Sequence, residues 1–354
     1  MKIKAAVLRR PGGKLNIETL ELARPREGEL LVRIHSCGIC HTDEMERQSP
    51  WRTPIVLGHE ACGTVEEAVG CPDFMPGDKV ALSYASCGEC SECVAGRPYA
   101  CRIYRQLMDG MRPGGYTPLS ACGEPVIPFF CQGGFAEFSV VSRRSAVKID
   151  PDMDMTLAGP FGCGIQTGAG TVLNCFAPLA GQGILITGVG TVGLSAVMAA
   201  KIAGCYPIIA ADRFPARLEL AESLGASHCV SGPDLAAQIK SISSGLDFAL
   251  DTSADDDLRR IALKALGLRG KGASLGFGSL PAFDDEDREA EKSWDGDIVE
   301  GRVVPQSFIP YLIGLWKDGR FPVEKLITAF PLGEINEAFR ANSEGRAVKP
   351  VIVM

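Results

Sequence analysis

Residues 184–204 read ILITGVGTVGLSAVMAAKIAG: three apolar residues and a threonine, a glycine-rich turn and a helix-like segment ending in glycine. Gly188, Gly190 and Gly193 stand in the G-x-G-x-x-G spacing, with Val189, Thr191 and Val192 between them. In that setting the first glycine permits the tight turn. The second lets backbone N–H groups approach a pyrophosphate at the helix N-terminus, and the third allows close packing of helix on strand. An isolated motif of this kind is often only a flexible turn, so its surroundings decide. The next apolar run, PIIAAD, ends at Asp212, nineteen residues after Gly193, where a carboxylate would accept hydrogen bonds from a ribose diol. A carboxylate there repels a 2′-phosphate, which favours NAD over NADP; Arg213 beside it weakens that preference and keeps NADP as an alternative.

Working outward, apolar runs alternate with helical stretches from about 165 to 298: GILITG, TVGLSAVMAAKIAG, PIIAAD, FPARLELAESLGA and DFALDTS. This alternation predicts βαβ units and a doubly wound parallel sheet, so the fold class is α/β. Residues 1–164 differ, with short runs such as GELLVRIHS, GHEACGTVEE, GDKVALS and GGFAEFSVVS broken by Gly and Pro. They predict an irregular, mostly-β domain. The tail, 299–354, has helical patterns around SFIPYLIGLWKDG and GEINEAFRANSEG, then the strand-like KPVIVM, and is expected to return to the first domain. DDEDREAE at 284–291 reads as an acidic, solvent-exposed stretch.

The 354 residues, 46% hydrophobic, can bury a large core. A net charge of −7 with dispersed acids and bases disfavours nucleic acid and anionic membranes as partners. No run is long and apolar enough to span a bilayer, and the start, MKIKAAVLRRPGG, lacks a signal peptide's apolar stretch, so a cytoplasmic location is expected. In such a protein the fourteen cysteines are reduced, and clustered ones suggest metal. Cys87, Cys90, Cys93 and Cys101 form the cluster expected of a closed, tetrahedral structural zinc site. Iron–sulfur is the rival reading, but in ferredoxins the fourth cysteine follows after three residues and precedes Pro, whereas here seven intervene and Arg102 follows. Cys62, Cys71, Cys122, Cys131, Cys175, Cys205 and Cys229 stand apart and read as small buried hydrophobes. Cys40 in CGICHTD, His59 in LGHEACG and Cys163 in GPFGCGIQTGAG could ligate one metal, but no spacing rule links them.

These segments, in this order along nearly the whole chain, resemble the zinc-containing alcohol dehydrogenases of the medium-chain dehydrogenase/reductase superfamily. GPFGCGIQTGAG, IVEG and the tail are most similar to the benzyl (aryl) alcohol dehydrogenases within it. The resemblance implies a GroES-like catalytic domain and a Rossmann coenzyme domain, with two zinc ions per chain. Cys40, His59 and Cys163 would hold the catalytic zinc, whose fourth position takes water or substrate oxygen. Asp43 would orient His59, where by spacing alone it could instead cap a turn. Glu60 would sit near the metal, where alone it could be a surface acid. Thr42 would hydrogen-bond the substrate hydroxyl, Thr167 and Val192 would flank the nicotinamide, and Arg217 would approach the adenosine ribose. Many relatives carry a histidine three residues beyond the Thr42 hydroxyl as a proton outlet; this chain has Met45, leaving either the ribose and water or His41, which could instead contact the pyrophosphate. Trp51 and Tyr84 are candidates for an aromatic-friendly pocket or for core packing.

The expected reaction is reversible oxidation of a primary aryl or allylic alcohol to its aldehyde with NAD. An NADPH-preferring aldehyde reductase and a non-catalytic dinucleotide-binding protein are the alternatives. A homodimer or homotetramer is implied by the family, although residues 284–297 are less apolar than in relatives. Between Gly63 and Gly70 the chain is one residue longer than usual, which predicts a bulge clear of the ligands.

Overall fold

The fold is that of a computed structural model describing residues 1–275 and 278–354. Its contacts divide the chain into two units, Met1–Cys163 with Val304–Gly314 and Val323–Met354, and Gly164–Val303 with Leu315–Pro322.

The first unit is mostly β. Lys2–Leu8, Leu15–Leu22, Leu119–Ala121, Glu124–Pro128 and Ile55–Val56 close into a small barrel. Beside it lies a sheet centred on β1 (Glu29–Gly38), which is followed by the helix α1 (His41–Gln48) and the strand β2 (Glu60–Val69). β1 pairs antiparallel with β2 and, on its other edge, with the C-terminal strand Lys349–Val353. Apolar residues of barrel and sheet, among them Leu8, Leu20, Leu30, Val32, Ile55 and Phe135, merge in one core. In the β1–β2 ladder Leu31 faces Glu67 and Val32 faces Val65, so Glu66 is an extra residue. A bulge thus falls within the Gly63–Gly70 segment, and the ladder shifts a second time between Ile34 and Ser36.

α1 begins where Cys40 turns out of the sheet. Asp43 closes a capping box there: its carboxylate accepts from the Cys40 backbone N–H at 3.0 Å.

The second unit opens with the helix α2 (Gly164–Gly170), after which the strands β3 (Ile184–Thr187), β4 (Ile208–Ala211), β5 (His228–Val230), β6 (Leu246–Asp251), β7 (Leu266–Ser274) and β8 (Ser293–Asp295) form one parallel sheet. Their spatial order is β5-β4-β3-β6-β7-β8, the doubly wound order with its reversal between β3 and β6. β3 and β4 are buried at every residue, as strands covered on both faces must be. The helix α3 (Thr191–Ala203) follows β3 and ends at Gly204, whose φ of 78° forms a left-handed cap.

Two expectations need correction. The acidic stretch is not wholly solvent-exposed: Asp287, in the short helix Asp285–Glu289, is fully buried between the ammonium groups of Lys264 and Lys292, each at 2.9 Å. Burial opposes its charge, but these two lysines and the Asp284 N–H prevail and hold the carboxyl at about 2. Cys122 and Cys229 are exposed rather than buried, Cys122 on a turn with φ of 51° and Cys229 on the edge strand β5. Among the described residues no helix is long and apolar enough to cross a membrane.

Candidate metal centres and coenzyme site

In the first unit Cys40, His59, Glu60 and Cys163 bring four ligand atoms within 4.8 Å of one another. Each comes from an element boundary: Cys40 caps α1, His59 precedes β2 and Glu60 begins it, and Cys163 ends the 3-10 turn Gly159–Gly162. Gly58, with φ of 93°, turns the chain into this position; a Cβ there would stand 2.8 Å from the Phe135 nitrogen. Asp43 is fully buried, and beyond capping α1 its Oδ1 accepts from the Gly58 N–H at 2.9 Å and lies 3.0 Å from His59 Nδ1. That contact assigns the proton to Nδ1. Nε2 is then a lone-pair donor, and it is buried with no hydrogen-bond partner. The imidazole plane is set by Phe130, stacked on it at 4.3 Å, and by the edge of Phe129 at 5.7 Å.

The four groups titrate together. Cys163, against the opposing effect of burial and with help from His59, holds the Cys40 thiol well below its usual range. Burial disfavours charge on His59, but Asp43 and Cys40 outweigh it and raise its pKa well above the usual value, so a metal must displace a proton from Nε2 to bind there. Two thiolates and an imidazole nitrogen are the donor set that zinc prefers over magnesium or calcium. Glu60 lies beneath, fully buried, gripped by Lys349 Nζ at 3.0 and 2.7 Å; the same ammonium donates to the Ile39 carbonyl at 2.9 Å.

Cys87, Cys90, Cys93 and Cys101 likewise lie within 4.8 Å of one another. Backbone N–H groups point at the sulfurs, Cys87 N to Cys101 Sγ at 3.3 Å and Cys90 N to Cys87 Sγ at 3.4 Å. The Arg102 and Cys93 N–H groups bring the Cys90 thiol down to about 6, while burial pushes Cys93 up to about 12. With four sulfur donors the set is complete, with no position left for a reactant.

In the second unit Gly188 (φ 78°) leaves β3 where a Cβ would meet Ser253 N at 2.8 Å. A Cβ on Gly193 would lie 2.1 Å from the Gly188 carbonyl, so helix and strand touch there. Gly190 differs: the nearest atom to a Cβ would be Arg217 Nη1 at 4.0 Å. Open space at the start of α3, at the positive end of a helix, is the cradle an anionic pyrophosphate needs. Asp212 braces this turn, accepting from Val189 N at 2.8 Å and Phe214 N at 2.9 Å, with Arg217 Nη1 4.0 Å from its Oδ2.

Comparison with known proteins agrees. The alcohol dehydrogenase GroES-like domain family matches residues 26–151, and the zinc-binding dehydrogenase family matches residues 191–293. Geraniol dehydrogenase from Castellaniella defragrans is 39% identical over 99% of this chain and 97% of its own length. The chain belongs to the zinc-containing medium-chain alcohol dehydrogenases. Among solved structures, an alcohol dehydrogenase zinc-binding domain protein from Burkholderia ambifaria is 39% identical with a TM-score of 0.96, covering 100% of this chain and 99% of that one. Benzyl alcohol dehydrogenase from Acinetobacter calcoaceticus is 35% identical with a TM-score of 0.95 at the same coverage. As a member of this family the protein is a zinc-containing, NAD(P)-dependent enzyme, and its two clusters account for two zinc ions per chain.

Other residues of this alcohol dehydrogenase fall as follows. Thr42 Oγ1 lies 3.7 Å from Cys40 Sγ, and His41 is exposed at the first position of α1. Trp51 is exposed and Tyr84 buried against Tyr104. Arg213 and Arg217 both lie over the Phe214 ring. Thr167 donates to Glu300 Oε2 at 3.2 Å. Lys349, Phe130 and Glu300 escape sequence reading as parts of a site. A signal for Lys349 was present: a lysine beginning the apolar run KPVIV needs a buried partner.

Proposed function

We propose that this dehydrogenase reversibly oxidises primary aryl or allylic alcohols to aldehydes with NAD. The observation that carries the reading is the convergence of Cys40, His59 and Cys163, with His59 Nε2 buried and unpartnered. These three would hold the catalytic zinc. Phe130 stacked on His59 adds an apolar aromatic wall beside it. The alcohols in the names of two relatives, geraniol and benzyl alcohol, are an allylic and an aryl primary alcohol.

A zinc ion supplies Lewis acidity, which makes a substrate hydroxyl easier to deprotonate. NAD, when bound, is the hydride acceptor. The chain's own residues do the rest. Thr42 accepts the hydroxyl proton and passes it outward, with His41 or water at the exit because Met45 cannot carry it. Asp43 keeps the His59 tautomer fixed. Gly190 admits the pyrophosphate. The Asp212 carboxylate selects a free ribose hydroxyl over a phosphate, with Arg217 on the adenosine side. Thr167 and Val192 flank the nicotinamide.

Zinc content by elemental analysis and NADH formation with benzyl alcohol and geraniol, on one purified sample, test this reading. About two zinc ions per chain with turnover is the expected result. About one zinc and no turnover with any alcohol or with NADP would replace it by a non-catalytic dinucleotide-binding protein. Family likeness also carries a cytoplasmic homodimer or homotetramer, which sedimentation checks: a single-chain mass overturns the assembly.

A further inference from the structure

Asp251, the last residue of β6, and Arg259, on the helix Asp256–Ala265, are 0% and 1% exposed. A fully buried ion pair adds little stability over apolar packing of the same volume. This one instead connects three strand ends. Asp251 Oδ1 accepts from Thr187 Oγ1 at 2.8 Å and from Ser253 Oγ at 2.6 Å. Thr187 is the last residue of β3, and Ser253 N fills the space that a Cβ on Gly188 would take. Thr252 Oγ1 donates to the Gly188 carbonyl. The root of the glycine-rich turn is thus braced from the end of β6.

The other carboxylate oxygen holds Arg259. Oδ2 accepts from Nε and pairs with Nη2, each at 3.1 Å. Nη1 reaches away from the pair, to Asp256 Oδ1 at 2.7 Å and to the Ser279 carbonyl, beyond the end of β7 at Ser274. Gly278 packs against the guanidinium with a φ of 144°; a Cβ there would stand 2.6 Å from Nη1. A continuous bonded path therefore runs from the glycine-rich turn through Asp251 and Arg259 to Ser279. It crosses the carboxyl ends of β3, β6 and β7, where a doubly wound sheet receives its dinucleotide.

Direction follows from the sites proposed above. With the adenosine ribose at Asp212, after β4, and the pyrophosphate at Gly190, after β3, the nicotinamide half extends the opposite way, over β6 and β7. We propose that Arg259 is a coenzyme-positioning residue, which sets Gly278 and Ser279 beside the nicotinamide half by tying the Ser279 carbonyl to the carboxylate that braces the glycine-rich turn. This rests on the reading of Asp212 and Gly190.

ADP-ribose is the coenzyme without its nicotinamide ring, and it keeps both of those anchors. Titration calorimetry of the zinc-loaded protein gives its Kd beside that of NADH. The wild type should bind NADH at least about tenfold more tightly. Arg259→Lys keeps a cation against Asp251 but lacks the planar fork that serves separate partners at once, and Arg259→Met loses every arm. Each should weaken NADH about tenfold, the factor carried by one ordinary contact, and ADP-ribose by less than about twofold. If Arg259→Met does not fold, Arg259→Lys carries the test alone. A merely structural ion pair would weaken both ligands by the same factor. That result, NADH affinity unchanged in the variants, or a wild-type ratio near one overturns the proposal. Failure of the wild type to bind ADP-ribose while NADH binds instead overturns the placing of ribose and pyrophosphate, so the two failures are distinguishable.

Discussion

A single carboxylate, Asp43, fixes the end of α1 and the tautomer of His59 through different oxygen contacts. Capping survives a change to Asn better than the polarisation of His59 does, because only the latter depends on charge. Asp43→Asn should therefore fold, yet release zinc to a metallochromic chelator about 10–100-fold more readily. Zinc retention equal to the wild type would reduce Asp43 to a helix cap. Lys349 makes a sharper case. Lys349 is 2% exposed, and its ammonium meets both oxygens of a fully buried Glu60. Lys349→Met would leave that carboxylate without its cation, at a cost of about 3–5 kcal/mol in urea unfolding. A loss below about 1 kcal/mol, the usual worth of an exposed pair, would show that the two charges are not held as described.

At the scale of elements, the turn from β3 to α3 separates two uses of glycine. Gly190→Ala adds a methyl group to open space, so the melting temperature should hold while NADH binding weakens about tenfold, or about 1.4 kcal/mol. Gly193→Ala drives a Cβ to within 2.1 Å of a backbone oxygen and should instead destabilise the protein by about 1–3 kcal/mol. Equal effects of the two changes on stability would contradict this division. This turn was legible in the sequence because its parts are contiguous, and so was the four-cysteine loop. Cys40, His59 and Cys163 were legible only through family resemblance, since β1, α1 and β2 bring together ends that no spacing relates. Glu300 and Lys349 act on partners more than a hundred residues away, at Thr167 and Glu60, where local pattern carries no information. Asp287 was misread for a related reason: composition marked its segment as solvated, and only the fold supplies Lys264 and Lys292.

Asp287 also bears on the stability of the whole molecule in acid. Its folded pKa, about 2, lies below the ordinary 3.8, so its contribution is complete above about pH 4 and is lost as pH falls through 2. The shift is worth roughly 2 kcal/mol. Urea midpoints measured from pH 5 down to 2 should fall more steeply for the wild type than for Asp287→Asn, and parallel curves would refute the assignment. The strand that carries Lys349 sets a different kind of limit, one of time. Glu60 and Lys349 are 289 residues apart, so at 5–20 residues per second a ribosome makes the lysine roughly 15–60 s after the glutamate. Throughout that interval the nascent chain already holds Cys40, His59 and, for its later part, Cys163, but not the cation that neutralises the acid below them. Assembly of this centre over its neutralised acid therefore waits on synthesis of the strand Lys349–Val353.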